Sequence, residues 1–508
     1  MSRVRSAHVS SSALGTRWSA CPYPGTVGDS SDNGRRAPWR RKNRSLFHFA
    51  DGVLRGSTAP TQVISLAGGD DQSSQRHVRL VIDLCLRVGE SMLATGASAA
   101  DVVAMVLRIS HSYGVGGMHV DITFTSITVS VHRGMNEDPM SVMRIAKVRT
   151  TDYTRLQNVY LLIDEITGPG SPPAVEVARE RLTAILTSPH PYRRWVVTAG
   201  KAVLAGGVVV LFDVGLVLAL VAAVSAIISD LITRQLGKWS VPGFFSQMAA
   251  AVATTSIAVL LFWLRSVGIE LPGSDAPTVI VIAGIIMLLS GLGLTASARD
   301  AIDGYYVTAT ARGMEVFMLT LGLAVGISAV LGIALRMGIP VAVSTSLGEG
   351  IGLLPGVVGA ALIGAGFALT SYVRLRLVPL MAAATSLVFA VFLLVSPYVA
   401  QPGLAPGIAA VAAGVVGYLT YRWLKVPEGA TTTAAIIGLI PGLAVYSALY
   451  VLVDSATGVM EALPAAVEAI ATGIGLAAGT AIGGFAARRT FGLDRQAMIA
   501  GRRARGVR

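Results

Sequence analysis

The chain has 508 residues, of which 53% are hydrophobic and 14% are charged, and its mean hydropathy is +0.63. Soluble domains carry roughly 25% charged residues, so this composition excludes an ordinary soluble protein and indicates an integral membrane protein. The formal net charge of +12 lies in the two tails: residues 1–50 hold nine Lys or Arg and two Asp, and the end after Ala487 holds seven Arg and one Asp. Such tails favour the cytoplasmic side of an anionic membrane, and no nucleic acid partner is expected.

The first 75 residues are rich in Ser, Gly, Pro and Arg and are predicted to form a disordered basic tail. They contain no single apolar segment followed by a cleavage site, so we expect no signal peptide and a cytosolic N-terminus. The two cysteines, Cys21 and Cys85, are far apart and lack CxxC spacing. Neither a disulfide framework nor a cysteine metal site is therefore expected.

Residues 76–192 have the pattern of a small cytosolic α/β domain. Four segments show helical spacing, and two show alternating apolar and β-branched residues. In chain order, these are helices over 78–96 and from 98 onward, strands within 119–134 and 140–148, and helices over 151–166 and 173–188. The second helix opens with a capping box from Ser98 to Asp101. Two helices, two or three strands and two further helices are expected before the membrane.

After Tyr192 the chain contains ten apolar runs of roughly membrane-spanning length, numbered here as spans 1 to 10. They cover 195–213, 214–232, 245–264, 277–297, 315–335, 352–370, 378–397, 403–421, 431–451 and 464–486. Five spans fall in residues 193–338 and five in 339–487, and a basic cytosolic tail (488–508) follows. With the N-terminus inside, the cytoplasmic loops carry eight Lys or Arg and the outer loops two, as the positive-inside rule requires.

Spans 4 and 9 share one sequence pattern. Placing Ala283 on Ala434 aligns AGIIMLLSGLGLT with AAIIGLIPGLAVY and superimposes Gly291 on Gly442. Farther on, GLAVGISAVLG from Gly322 resembles GLAAGTAIGG from Gly475, so the repeat joins spans 4 and 5 to spans 9 and 10. Because an odd number of spans separates each pair, the two five-helix halves are predicted to be inverted copies.

Inverted repeats with helices interrupted by Gly or Pro are the architecture of secondary transporters, which bind substrate near the membrane midplane between broken helices. Freed backbone groups are tolerated in a membrane only where protein or water satisfies them. Gly291 and Gly442 therefore mark a candidate substrate site. The alternative is that both glycines only permit close helix packing, and the sequence does not decide between the two.

The chain resembles the threonine/serine exporter family over roughly residues 78–486. The resemblance rests on GESMLATGASAADVV and TFTSITVS in the α/β domain, GG followed by Asp213 in the first hairpin, SGLGLTASARDAIDG in the first half and IPGLAVYSALY in the second. It implies export of small hydroxy amino acids by a multi-pass protein of the bacterial cytoplasmic (inner) membrane, driven by the proton motive force. Split two-gene relatives are associated with dicarboxylate export. The family typically has Pro before the first-half Gly, whereas this chain has Ser290, so a proline break in span 4 is not implied.

Charged residues inside a span are costly and are functional candidates by default. The candidates for substrate binding or coupling are Asp213, Ser290, Gly291, Arg299, Asp300, Pro441, Gly442, Tyr446, Lys201 and Glu468, with Asp303 and Asp454 near them at span ends. Glu468 could carry a proton or be solvated at the interface. Lys201 could snorkel to the cytosol, and Arg299 and Asp300 could snorkel or pair locally.

A zwitterionic amino acid needs a cationic or helix-N-terminal partner for its carboxylate and carboxylate or carbonyl partners for its ammonium. Unwound backbone around Gly291 and Gly442 is expected to supply the first, and Asp213 or Asp300 the second. Asp213 is also a candidate proton-coupling carboxylate by the resemblance. The alternative is that it caps the outer end of the hairpin in contact with water.

Other chemistries have little support in the sequence. No GxxxxGK[ST] motif occurs, so an ATP-driven pump is not expected. His111, His119 and His132 are interpreted as surface or core histidines, because no HExxH or GxSxG motif accompanies them. We expect no catalytic residue, no metal and no cofactor.

The leading hypothesis is a proton-coupled secondary transporter that exports threonine and serine. An exporter of another small metabolite, such as a dicarboxylate, and a membrane-anchored enzyme or sensor are the alternatives. The expected partners are the two amino acids, protons and the lipid bilayer, and a homo-oligomer is left open. For the α/β domain we expect a gating or regulatory role.

Overall fold

The computed structural model describes residues 71–132, 139–146, 151–269, 278–288, 291–339, 352–442 and 458–491, with 444–445, 447–448 and 451. The predictions for Cys21, Ser290, Tyr446 and Asp454, and for most of both tails, lie outside these residues. Several helix ends differ from the sequence prediction; for example, the first helix begins at Asp71, and the last continues to Phe491. Neither of these two added stretches contains the Gly or Pro that would end a helix.

Residues 71–187, termed the α/β unit, form a three-stranded antiparallel sheet and four helices. The helices are α1 (Asp71–Ala94), α2 (Ala99–Ser112), α3 (Tyr153–Ile166) and α4 (Val175–Thr187), and the strands are β1 (Met118–Ile122), β2 (Ser126–Val131) and β3 (Met140–Ile145). The strand order is β1-β2-β3, and alternate residues of β2 enter the core, where Ile127, Val129 and Val131 are buried. Gly89 lets α1 approach this face, since a methyl group there would lie 2.7 Å from Cδ1 of Ile127.

The remaining chain forms a helical bundle. Its helices are α5 (Arg194–Leu211), α6 (Leu216–Lys238), α7 (Gly243–Ser266), α8 (Thr278–Leu288), α9 (Gly291–Ile302), α10 (Tyr306–Arg336), α11 (Leu353–Thr370), α12 (Val378–Val395), α13 (Leu404–Leu424), α14 (Glu428–Ile436) and α15 (Gly458–Phe491). Within the described residues, eight helices are long and apolar enough to cross a membrane, and α8 is a shorter apolar helix. The protein is thus a multi-pass helical membrane protein, while the ten-span inverted arrangement stays a prediction.

The two halves of the bundle use glycine in an equivalent way. In each half, two glycines of the fifth span lie against backbone carbonyl oxygens of the third span, leaving no room for a methyl group. The glycines are Gly322 and Gly326 against Phe244 and Met248 in the first half, and Gly475 and Gly479 against Gly403 and Gly407 in the second. Small residues permit such close helix packing in membranes. The equivalence supports the sequence alignment that places Gly322 on Gly475.

The α/β unit packs against one end of the bundle, which we term the proximal end; the opposite end is the distal end. The backbone N–H of Tyr153 donates to the carbonyl oxygen of Ser371 at 3.1 Å. The hydroxyl of Thr308 donates to the carbonyl oxygen of Ile122 at 3.0 Å. Because Tyr153 and Thr308 are both buried, these bonds fix the unit directly to the bundle.

Candidate functional site

Span 9 is broken in its middle. α14 ends at Ile436, a single 3-10 turn covers Ile437–Leu439, and Ile440 is extended, with φ of −63° and ψ of 132°. Helical hydrogen bonding resumes where the N–H of Val445 donates to the carbonyl oxygen of Pro441 at 3.1 Å. Since proline has no N–H with which to continue the preceding helix, Pro441 explains the position of the break.

The described part of span 4 comprises two helices at the aligned position. α8 ends at Leu288, and α9 begins at Gly291. The side chain of Gln247 in α7 donates to the carbonyl oxygen of Leu288, so this acceptor at the end of α8 is satisfied inside the bundle. Gly291 is therefore the first residue of α9, and Gly442 lies beside the break in span 9.

The broken helix of span 9 contacts α8 of span 4 at Gly442. A methyl group placed on Gly442 would lie 2.6 Å from Cγ1 of Ile286 and 3.5 Å from Cγ2 of Ile282, both buried residues of α8. The packing interpretation therefore holds for Gly442. It is compatible with a binding site at the same place, because the break and the contact are adjacent.

A cavity of about 740 Å³ lies on the distal side of the contact between Gly442 and α8. It is lined by the broken segment 438–442 and by the distal parts of α5, α11, α12, α13 and α15. Among the described residues that line it, Glu468 is the one charged side chain, and Ser396, Ser447 and Thr472 supply hydroxyls. A largely apolar cavity of this size with a few polar groups is typical of small-molecule sites.

The structure brings together three predicted candidates, Pro441, Gly442 and Glu468, in the lining of this distal cavity. Asp213 is not among the lining residues. It is exposed in the turn between α5 and α6, with φ of 56°, a conformation that Asp tolerates better than most residues. This exposure fits the cap at the end of the hairpin better than a carboxylate held away from water.

Lys201 belongs to a charged cluster near the proximal end. Its Nζ lies 2.6 Å from one carboxylate oxygen of Asp230, and Nη2 of Arg234 lies 2.6 Å from the other. The hydroxyl of Thr198 also donates to Asp230, whose side chain is 2% exposed. Lys201 is therefore paired across two helices and does not extend alone towards the cytosol.

Asp300 is fully buried at the contact between the α/β unit and the bundle. Its Oδ1 accepts a hydrogen bond of 3.1 Å from the N–H of Ala99, the first residue of α2, and its Oδ2 lies 2.9 Å from Nη1 of Arg312. Asp300 therefore does not snorkel; it pairs with Arg312 of the next helix and also contacts the α/β unit. It is not in the distal cavity, so it does not face an ammonium group there.

Arg299 takes part in a chain of ion pairs at the proximal end. Its Nη2 lies 3.7 Å from Oε1 of Glu428, and its Nε lies 4.0 Å from Asp303. Nη1 of Arg488 lies 2.8 Å from the other carboxylate oxygen of Glu428. Local pairing with Asp303 thus exists, and the longer connection through Glu428 joins α9, α14 and α15.

The three histidines considered in the sequence, His111, His119 and His132, lie in the α/β unit. The rings of His119 and His132 meet edge to face with centroids 5.6 Å apart, and His111 is exposed on α2. In the part of the chain that the structure describes, no group of three or more His, Cys, Asp or Glu could hold a metal ion. Burial raises the pKa of Cys85 to about 12, so this thiol is not a reactive nucleophile.

Three groups that the structure makes prominent were not predicted from the sequence: Asp230, Glu428 and Arg312. Asp230 lies inside span 2, and the signal that selects Lys201, a charge within an apolar run, also applies to it. Glu428 and Arg312 lie in predicted loops, where a charged residue is ordinary. Their importance depends on contacts with distant segments, which no local pattern reveals.

Comparisons with known proteins agree with the architecture. One family model, described as a threonine/serine exporter, matches residues 83–334, and a second, described as "Threonine/Serine exporter, ThrE", matches residues 356–486. The "Probable threonine/serine exporter" of Mycobacterium tuberculosis is 34% identical over 456 residues, covering 87% of this chain and 83% of the relative. The "Threonine/serine exporter" of Corynebacterium glutamicum is 31% identical over 425 residues, covering 82% of this chain and 85% of the relative. No solved structure matches. Because two such relatives align over most of both chains, this chain belongs to the threonine/serine exporter family.

Proposed function

We propose that the protein is a secondary active transporter that exports threonine and serine from the bacterial cytoplasm, driven by the proton motive force. Family membership and the names of the two relatives support the transported class. The observation that carries the proposal is the distal cavity of about 740 Å³, which reaches the broken segment of span 9. A broken helix beside a cavity is how secondary transporters bind small charged substrates.

The substrate lies against the broken segment in this account. Its carboxylate faces the helical turn that starts at Pro441, because the first N–H groups of a helix lack partners and carry a partial positive charge. Its ammonium faces the carboxylate of Glu468 and the carbonyl oxygens that end the 3-10 turn at Leu439. Thr472, one turn of α15 beyond Glu468, supplies a polar contact for the substrate hydroxyl.

The proximal end is the cytosolic end in this account, as the count of basic residues in the loops predicts. In the structure, the ion pairs of Arg299, Glu428 and Arg488 join three helices there, and the α/β unit covers Asp300. The large cavity lies at the other end. We assign this arrangement to an outward-facing state, in which the α/β unit and the ion pairs close the cytosolic side and must separate for substrate to enter.

Glu468 is the proposed proton-coupling group. A carboxylate that lines a water-accessible cavity can bind a proton from the outer side. The proton then competes with the substrate ammonium for the negative charge of this carboxylate. Asp213 remains the second candidate, and its exposure at the distal turn makes it the weaker one. The proposal therefore assigns coupling to the group inside the cavity.

The test of the proposed function is amino-acid retention in cells. Cells loaded with a threonine-containing dipeptide hydrolyse it and must export the excess, so deletion of the gene should raise internal threonine and serine. Expression of the intact chain should restore efflux fully, whereas the Glu468→Gln variant should restore less, because its efflux no longer responds to the proton gradient. Unchanged efflux of both amino acids in the deletion strain would contradict the proposal.

Export of a dicarboxylate is the second candidate within transport. The described residues that line the distal cavity include no Lys, Arg or His, and the one charged side chain, Glu468, would repel a dianion. Competition of labelled threonine efflux by serine and by succinate separates the two substrates. A membrane-anchored enzyme or sensor is a further alternative, and turnover of ester or peptide substrates by the intact protein would favour it.

A further inference from the structure

A second cavity of about 70 Å³ lies at the proximal end, between the α/β unit and the bundle. Ser98, Asp101 and Tyr160 of the α/β unit line one side, and Arg299 and Arg312 of the bundle line the other. Among the described residues, none lines both this cavity and the distal one. Because one water molecule needs roughly 10–15 Å³ of such space, the cavity holds about five water-sized groups, which is the size class of a small amino acid.

The cationic side of the cavity is built rigidly. Arg312 is 7% exposed, and Asp300 holds its guanidinium at 2.9 Å while accepting a hydrogen bond from Ala99 at the start of α2. A guanidinium has five N–H donors, so one held in this way can still offer donors to a carboxylate in the cavity. Asp300 is therefore a positioning residue, which fixes Arg312 and the first turn of α2 together.

The opposite side supplies a negative charge and hydroxyl groups. Asp101 lies in the first turn of α2, where its N–H donates to the side chain of Ser98 at 3.1 Å. Tyr160 is buried, and burial raises its pKa, so its hydroxyl keeps its proton and remains a donor. Thr432 and Thr433 of α14 also line the cavity. A lining that combines two guanidinium groups, a carboxylate and several hydroxyls matches a zwitterion that carries a hydroxyl group.

We propose that this proximal cavity is a cytosolic-side binding site for a small hydroxy α-amino acid, with Arg299 and Arg312 binding its carboxylate and Asp101 its ammonium. The inference rests on the proposed function, because an exporter must first capture its substrate from the cytosol. It gives the α/β unit a direct role in substrate selection. The amino acid meets Asp101 before it reaches the broken segment of span 9.

The test uses inside-out membrane vesicles containing the full chain, so that the cytosolic face is exposed to the medium. Accumulation of labelled threonine is measured against its concentration and in competition with 3-hydroxybutyrate, which lacks the ammonium group. Asp101→Asn should raise the half-saturating threonine concentration about tenfold or more, the scale of one charge-assisted hydrogen bond. It should also reduce the preference for threonine over 3-hydroxybutyrate by a similar factor.

Asp101→Glu keeps the charge and should recover most of the preference. Asp83→Asn is the matched control, because Asp83 is a carboxylate of the same α/β unit that pairs with Arg87 and Arg179 away from the cavity. An Asp101→Asn variant with a lower maximal rate but unchanged half-saturation and unchanged preference would overturn the inference in favour of a purely structural contact. Wild-type vesicles that accumulate neither threonine nor serine would instead overturn the proposed function, and the inference with it.

Discussion

Gly442→Ala tests whether the close contact between Gly442 of span 9 and α8 of span 4 is required for transport. The added methyl group would lie 2.6 Å from Cγ1 of Ile286, whereas ordinary contacts begin at 3.4 Å, so the Ile286 side chain or one of the two helices must shift by about 0.8 Å. Overpacking of this kind costs about 1–3 kcal/mol. Because Gly442 lies at the break itself, the shift also displaces the segment proposed to bind the substrate.

Gly438→Ala is the matched control, since it adds a methyl group to the same segment and the same cavity. Its nearest neighbour would be Cγ2 of Thr385 at 3.8 Å, an ordinary contact. We expect Gly442→Ala to reduce the rate of threonine efflux from proteoliposomes about tenfold or more and to lower the melting temperature of the protein in detergent. Gly438→Ala should melt at the wild-type temperature and lose less efflux than Gly442→Ala.

A double variant identifies the clash as the cause. Gly442→Ala combined with Ile286→Ala should be no less stable than Ile286→Ala alone, because the side chain that the new methyl group would strike is gone. Equal efflux and equal melting temperatures for Gly442→Ala and Gly438→Ala would refute the reasoning. A double variant whose loss of stability equals the sum of the losses of Gly442→Ala and Ile286→Ala would also refute it.

The remaining predictions concern charged and buried groups. Glu468→Gln should make threonine efflux independent of the pH gradient, whereas Asp213→Asn should leave coupling nearly normal; the opposite result in pH-jump efflux assays would transfer the coupling role to Asp213. Asp230→Asn should destabilise the protein by about 2 kcal/mol or more, because two paired cations lose their negative partner, and Lys201→Met in the same chain should recover part of the melting temperature. Cys85, in a Cys21→Ser background, should resist iodoacetamide at pH 8 until denaturant is added, since burial raises its pKa from 9.0 to about 12. Because the unfolded thiol ionises near pH 9.0 and the folded one near 12, this group's contribution to stability is lost as the pH rises from 9 towards 12; rapid alkylation of the native protein would contradict its burial.

The sequence predicts most helices well because the bilayer imposes a length and an apolar composition on each. α11, for example, covers Leu353–Thr370 where span 6 was predicted over 352–370. The break in span 9 was indicated by Pro441 and Gly442 and by the repeat. The contact between Gly442 and Ile286 depends on how distant helices pack, and a local pattern contains no information about that.

The candidate site was predicted only in part, because a local pattern does not show how distant segments pack. Glu468, Pro441 and Gly442 were selected because charge, Pro and Gly are unusual inside a span, and all three line one cavity. Asp101 gives no such signal, because an acidic residue in the first turn of a helix is an ordinary capping feature. Only the docking of the α/β unit on the bundle brings Asp101 into the same cavity lining as Arg299 and Arg312.

The account's central claim is proton-driven export of threonine and serine, and efflux from proteoliposomes tests it most directly. Vesicles containing the purified full chain are loaded with labelled threonine, and a pH gradient is imposed across the membrane. The account predicts that efflux accelerates when the outside is more acidic than the lumen, collapses when a protonophore is added, and is inhibited by serine but not by succinate. Efflux at the rate of protein-free vesicles, or efflux that ignores the gradient, would contradict it.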